Sequence, residues 1–401
     1  MEKQLEKLSP KETEQKFIEF INEGKPPFDY GRKLLNDSFS RISAILEGKN
    51  IPPYEFEIQP SARCNASCLH CFGRGYQRCE ERLYSTLAME RIISQILGFE
   101  QEGFKVETIK FCGSTGEPLL NPLTLYAINR VAGKKHIRLF TNGIEIGKHK
   151  DEPAYIDNLA KINRINLSLD AATTETLHRV KPGARDSGVS VEDILIGASR
   201  VMKRQAKTGI EASFAITHLN YKEIVAFATK IRSYKAADTL RYRIDLVDRD
   251  VSERYSKEVL ELLEEVKTLN EPGFNVVVIH SKDEITQKDE TKFGAKGCGF
   301  KCFTCKFWAC LGPDANIYPC GHIVARDTPS YGNLLEKSLV DIWNGEQRRA
   351  LVESLPNQKC EICSPFSLST NRIGDFLERA NPVHIKKLHD KYILGDENVV
   401  I

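Results

Sequence analysis

The sequence predicts an α/β protein: six strand–helix units forming a partial (β/α)6 barrel or an open doubly wound sheet, then a small cysteine-held domain. Three observations carry this reading. Between Pro52-Pro53 and about His280, short strand-like segments alternate with longer helical ones, and that order gives parallel strands joined by right-handed crossovers. The strand candidates alternate polar and apolar residues with the period of a pleated strand. Past Thr291 the character changes: seven of the 12 cysteines fall in the 66 residues from Cys298 to Cys363.

In chain order, residues 1–52 read as a charged, mostly helical extension, broken at Gly24-Lys25-Pro26-Pro27. Ile51-Pro52-Pro53 closes it, since paired prolines cannot continue a helix. Strands are expected at Glu55–Gln59, Glu107–Phe111, Ile137–Thr141, Ile165–Leu169, Ile210–Thr217 and Leu240–Val247, with Asn275–His280 following. Helices are expected at Ser85–Phe99, Pro122–Val131, Val191–Gln205 and Tyr221–Ser233. The barrel domain spans 53–285, the cysteine-rich domain 286–375, and 376–401 is a tail.

Buried parallel strands normally read as continuous apolar runs. Here one face is polar in strand after strand: Glu55, Glu57 and Gln59; then Asn166, Ser168 and Asp170; then Glu211, Ser213 and Thr217; then Arg241, Arg243 and Asp245. Either that face is simply solvated, or it lines a wet, charged ligand cavity. The cavity is preferred, because ligand sites in parallel α/β folds gather at strand ends. Arg241 and Arg243 could fork onto a carboxylate or phosphate, or pair internally with Asp245.

Composition narrows the function classes. A chain of 401 residues can bury cores of useful size. Its 57 Lys+Arg against 55 Asp+Glu, with no long basic run, argue against a nucleic-acid partner. No apolar stretch is long enough to span a bilayer, and MEKQLEKLSPKETEQ lacks the apolar stretch of a signal peptide, so a cytoplasmic protein with no membrane partner is expected. Cysteines in a reducing compartment serve metals or catalysis more often than disulfides.

The first cysteine group, Arg63-Cys64-Asn65-Ala66-Ser67-Cys68-Leu69-His70-Cys71, directly follows the first strand. Three thiolates on one loop suit iron–sulfur or zinc ligation and leave a coordination position open, as a catalytic centre needs. The rival is a structural zinc knuckle completed by His70 or Cys79. The C-x3-C-x2-C spacing after the first strand of a (β/α) series resembles the signature of the radical S-adenosylmethionine (radical SAM) superfamily. That resemblance implies a [4Fe–4S] cluster on Cys64, Cys68 and Cys71, with S-adenosylmethionine on the fourth iron, cleaved by one electron to a 5′-deoxyadenosyl radical. It also implies that His70 packs near the adenine, where the family usually has an aromatic residue. Gly113-Ser114-Thr115-Gly116-Glu117-Pro118 resembles the family's GGEP motif with two extra residues, making Thr115, Gly116 and Glu117 cofactor-binding. Thr141-Asn142-Gly143 and Leu167-Ser168-Leu169-Asp170-Ala171 also match, adding Asn142, Ser168 at the ribose, and Asp170.

The later cysteines, with Tyr331-Gly332-Asn333-Leu334, Ser338-Leu339-Val340-Asp341-Ile342-Trp343 and Cys360-Glu361-Ile362-Cys363, resemble the SPASM/twitch auxiliary-cluster domain. The resemblance implies an auxiliary [4Fe–4S] cluster on Cys302, Cys320, Cys360 and Cys363, with Cys298, Cys305 and Cys310 as alternates. Ala315 stands where the family has its hairpin-turn glycine. No cysteine follows Cys363, which favours the one-cluster twitch form. A zinc site on Cys302-x2-Cys305 and Cys360-x2-Cys363 is the rival.

The expected activity is therefore hydrogen abstraction from a small polar substrate, dehydrogenating or epimerising a sugar- or aminocyclitol-like molecule, with an electron donor such as flavodoxin or ferredoxin. A maturase acting on a ribosomally made peptide is the alternative; such enzymes often carry an N-terminal winged helix, and the first 50 residues look only helical. A non-catalytic iron–sulfur or zinc protein is the third reading. If the reaction is an epimerisation, Cys79 and Cys112 are candidate hydrogen donors.

Overall fold

The computed structural model describes residues 6–23, 30–71, 73, 81–114, 116–204, 208–244, 254–279, 300–324, 328–357, 360, 363 and 365–396. Its centre is a ten-stranded, mostly parallel sheet. The strands are β1 (Glu55–Ile58), β2 (Thr108–Phe111), β3 (His136–Thr141), β4 (Arg164–Ser168), β5 (Gly209–Ile216), β6 (Thr239–Ile244), β7 (Asn275–Val278), β8 (Trp308–Leu311), β9 (Asn316–Tyr318) and β10 (Gly332–Asn333). Their spatial order is β10-β9-β8-β1-β2-β3-β4-β5-β6-β7, an unclosed series and hence a partial barrel. From β8 to β7 every neighbouring pair is parallel; β8–β9 and β9–β10 are antiparallel.

Sequential strands lie side by side because the crossovers between them are helical and pack on the sheet. Thr86–Gly98, Leu123–Val131, Val191–Arg204 and Ile224–Tyr234 are the principal helices, the last entered through a 3-10 turn, Tyr221–Glu223. Alternation along the strands does the rest. Phe56 and Ile58, Ile109 and Phe111, Ile137 and Leu139, Ile165 and Leu167 point to one side and join Met89, Ile92, Ile128 and Ile194 in a single apolar core. The residues between them face the opposite side, and there the sheet is mostly polar, as both readings of the alternation expect. Of the expected strand at Leu240–Val247, the described part is Thr239–Ile244; residues 245–247 lie outside the described residues.

The cysteine-rich domain extends the same sheet. β8 pairs in parallel with β1, setting Glu57 beside Cys310, and the β8–β9 hairpin follows. Ala315 takes the left-handed turn conformation, φ +66°, despite its Cβ. Trp343 is fully buried; its indole N–H donates to the Ile51 carbonyl at 2.8 Å and the Arg348 guanidinium stacks 3.6 Å from its ring centre. That residue thus locks the second domain to the linker before β1.

The two chain ends share a second core. Pro10–Asn22 begins with a capping box, Ser9 and Glu12, and with Tyr30–Asp37 and Phe39–Leu46 it packs on Pro365–Arg379 and Pro382–Tyr392. Phe17, Leu35 and Ile42 meet Phe303, Ile373, Phe376 and Leu388 there. Helix Pro365–Arg379 runs through position 376, where the tail was expected to begin. Among the described residues no helix is long and apolar enough to cross a membrane.

Candidate functional site

Four motifs lie at the carboxyl edges of β1, β2, β3 and β4, which are consecutive in the sheet, so sheet order alone draws them together. The Cys64–Cys71 loop leaves β1, residues 113–118 leave β2, Thr141-Asn142-Gly143 ends β3, and Ser168-Leu169-Asp170 ends β4. Backbone contacts then fix their spacing. The Glu117 N–H donates to the Arg63 carbonyl at 2.7 Å. A Cβ on Gly116 would lie 1.9 Å from the Ser61 carbonyl oxygen, so only glycine lets the β2 turn press against the start of the cysteine loop.

Cys64, Cys68 and Cys71 are free and partly buried, and each lies within electrostatic reach of the other two. Burial pushes the Cys68 thiol up to about 12, against the lowering pull of Lys181. Thiolates are soft anionic donors, and three of them on one loop fit an iron–sulfur group and its open fourth position. Asn142 Nδ2 donates to Asn65 Oδ1 at 2.8 Å and lies 3.9 Å from Cys64 Sγ, tying the β3 turn to the loop.

Glu117 is fully buried and its carboxylate is engaged by the chain itself. Thr141 Oγ1 and the Leu119 N–H donate to Oε1 at 2.8 and 3.1 Å, and the Asn142 N–H donates to Oε2 at 2.8 Å. Burial nevertheless pushes this carboxyl up to about 7. His70 Nε2 lies 3.4 Å from Asp170 Oδ2, and its Nδ1 is buried without a hydrogen-bond partner among the described residues. Ser168 Oγ is 3.5 Å from Ser213 Oγ. Thr115 and Cys79 lie outside the described residues. Cys112 is placed at the end of β2, where burial pushes its thiol up to about 12, with the Glu57 carboxylate adding to the rise.

The polar face carries charges in pairs. Lys110 pairs with Glu57 and lies 3.8 Å from Glu55; Arg138 is 3.0 Å from Glu55; Arg241 is 3.0 Å from Glu211. Asn166 Nδ2 donates to Glu211 Oε1 at 2.7 Å, while Asn166 Oδ1 is buried with no hydrogen-bond partner among the described residues. Arg241 thus meets Glu211 on the neighbouring strand, a partner that strand-by-strand reading of the sequence did not supply.

In the second domain, burial raises the Cys320 thiol, and Cys302, Cys360 and Cys363 add to the rise, so all four lie within electrostatic reach. Cys305 is fully buried, its Sγ donating to the Cys302 carbonyl at 3.0 Å. Cys310 instead faces the polar side of the sheet, its Sγ donating to Glu57 Oε1 at 3.5 Å. Cys298 lies outside the described residues. Lys181, a buried cation beside Asp170, went unread in the sequence, where Lys-Pro-Gly looks like a plain turn.

Comparison with known proteins bears on the chemistry. The profile of the Radical SAM superfamily matches residues 58–230, and that of SPASM, an iron–sulfur cluster-binding domain, matches residues 302–364. The chain is 30% identical over 120 residues to GTP 3′,8-cyclase of Psychromonas ingrahamii, covering 29% of this chain and 32% of that protein. It is 27% identical over 224 residues to the probable GTP 3′,8-cyclase of Methanosarcina mazei, covering 56% and 63%. The chain therefore spans less than two thirds of the length of either relative. Among solved structures, Streptococcus suis SuiB bound to S-adenosylmethionine is similar with a TM-score of 0.55 at 17% identity, covering 89% of this chain and 82% of SuiB. SuiB bound to its precursor peptide SuiA gives 0.54 at 16%, covering 86% and 78%. At these identities the likeness is one of fold.

Proposed function

Because the chain belongs to the radical SAM superfamily and carries a SPASM domain, we propose that it abstracts hydrogen from a small, polar, hydroxyl- or amino-bearing substrate held against the polar face of the sheet. Cys64, Cys68 and Cys71 hold the catalytic [4Fe–4S] cluster, and Cys302, Cys320, Cys360 and Cys363 the auxiliary one. When bound and reduced by a flavodoxin- or ferredoxin-type donor, the catalytic cluster and S-adenosylmethionine supply the 5′-deoxyadenosyl radical. The chain's own residues orient the substrate and exclude water from it.

The observation that carries the substrate class is the charge pattern of the polar face. Glu55, Glu57 and Glu211 face Lys110, Arg138 and Arg241, each base with an acid partner. A nucleoside triphosphate needs several surplus cations, and these six supply none; Arg243, on the same face, is a single cation without an acid partner among the described residues. Asn166 Oδ1, a buried acceptor without a partner among the described residues, suits a substrate hydroxyl or amine, since leaving it unpaired costs about 1–3 kcal/mol. The reaction is a dehydrogenation of a polyol or amino-polyol, in which the substrate radical would pass its second electron to the auxiliary cluster and a proton to solvent, or an epimerisation, in which a thiol such as Cys112 would return a hydrogen atom to the opposite face.

The test is anaerobic. Reduced, reconstituted enzyme with S-adenosylmethionine is given neutral polyols, aminocyclitols, GTP and a short peptide in turn, in heavy water. Formation of 5′-deoxyadenosine above the substrate-free level with a polyol or aminocyclitol supports the reading. Deuterium in the product then marks epimerisation, and a carbonyl product without deuterium marks dehydrogenation. Stimulation by GTP or the peptide alone overturns it.

A further inference from the structure

One buried ion pair, Lys181 with Asp170, lies against the first cysteine loop. Lys181 follows helix Thr174–Val180 and is 1% exposed; its ammonium lies 2.9 Å from Asp170 Oδ2 and also donates to the Ser168 carbonyl. Asp170, equally buried and at φ +59°, accepts the Ala215 N–H at 2.7 Å and faces His70 Nε2. Apolar residues of similar volume often serve stability as well as a buried ion pair does, so this pair needs another reason. Its surroundings supply one. The Leu69 N–H donates to the Val180 carbonyl and the Gly183 N–H to the Ala66 carbonyl, both at 3.0 Å. These bonds bracket Lys181 and fasten it to the cysteine loop. A Cβ on Gly183 would lie 2.7 Å from the Asn65 carbonyl oxygen, so the two segments meet backbone to backbone. The Lys181 charge acts on both Cys68 and Cys64.

We propose that Lys181, anchored by Asp170, is a positioning residue for the Cys64–Cys68–Cys71 centre: it holds a fixed positive charge beside the thiolates and so sets how readily the bound cluster accepts an electron. The proposal rests on those three cysteines being the ligands. A cubane on three thiolates is anionic and gains negative charge on reduction, so a nearby fixed cation favours the reduced form. The ammonium itself stays intact, as no bond to it forms or breaks. The Asp170 carboxylate opposes it, and its charge is spread onto the Ala215 N–H and His70.

The test is a redox titration of reconstituted enzyme followed by electron paramagnetic resonance, reading the signal that changes on adding S-adenosylmethionine, with iron counted in parallel. Lys181→Met is expected to lower the reduced-to-oxidised ratio at fixed potential about tenfold, equivalent to about 59 mV for one electron, with iron content unchanged. Asp170→Asn should move it the other way, the double variant should fall between, and Lys181→Arg should stay near wild type. An unmoved potential in Lys181→Met and Asp170→Asn with iron intact overturns the proposal. So does iron loss in every variant, Lys181→Arg included, because that pattern belongs to a loop clamp alone. Wild-type protein that takes up no iron on the first cysteines sinks the ligand assignment instead, a separate and recognisable failure.

Discussion

Replacing Glu117 by Gln should flatten one part of the protein's pH–stability profile. The ordinary carboxyl value is 4.5, and burial pushes Glu117 up to about 7 although three donors hold its ionised form. The folded chain therefore binds this proton more tightly than the unfolded chain does. The stabilisation this gives is complete below the unfolded value, near 4.5, and is lost as pH rises through about 7. At about 1.4 kcal/mol per tenfold change in proton affinity, the full swing is about 3 kcal/mol. The assay is urea unfolding of wild type and Glu117→Gln on matched preparations at steps from pH 5 to pH 8. Wild type should lose stability relative to the variant across that window, most of it below pH 7. A wild-type-minus-variant difference that stays constant with pH refutes the reasoning, because it would mean that Glu117 titrates alike in both states.

Other substitutions test other joints. Gly116→Ala drives a Cβ to 1.9 Å from the Ser61 carbonyl oxygen, and urea unfolding should register a loss of about 4 kcal/mol. Trp343→Ala removes the buried indole, its bond to Ile51 and its contact with Arg348; the expected cost in thermal or urea unfolding is about 3–5 kcal/mol. Lys110→Met leaves Glu57 buried beside a neutral side chain, which should cost about 3–5 kcal/mol, recovered in part by adding Glu57→Gln. Cys360→Ser should take about four irons from each reconstituted chain while Cys310→Ser takes none, as counted by iron and sulfide analysis.

Much of this architecture is legible because its signals are local. Strands β1 to β6 alternate with a period of two, broken at Phe140 and Ala215, so the polarity of each face follows from the residues within them and their bounds nearly do. Motifs at the carboxyl ends of consecutive strands converge once the strands lie in sequence order. What escaped reading depends on contacts distant in sequence. Trp308-Ala309-Cys310-Leu311 is a four-residue strand in a cysteine-rich stretch, and nothing in it announces a parallel partner some 250 positions earlier. The apolar stripe of Pro10–Asn22 declares that it must be covered without declaring that Ile373 and Phe376 help to cover it. Lys181 is a charged residue in a turn-like tripeptide, and only tertiary structure makes it a buried cation. Arg241 pairs across strands with Glu211, a partner that no reading of its own strand supplies.

The most direct measurement is product analysis after dithionite reduction of anaerobically reconstituted protein with S-adenosylmethionine. If Cys64, Cys68 and Cys71 hold the cluster that cleaves S-adenosylmethionine, wild type yields 5′-deoxyadenosine and methionine, and a Cys64→Ala/Cys68→Ala/Cys71→Ala variant that keeps its auxiliary iron yields none. No nucleoside from fully loaded wild type, or equal amounts from both proteins, would contradict that assignment.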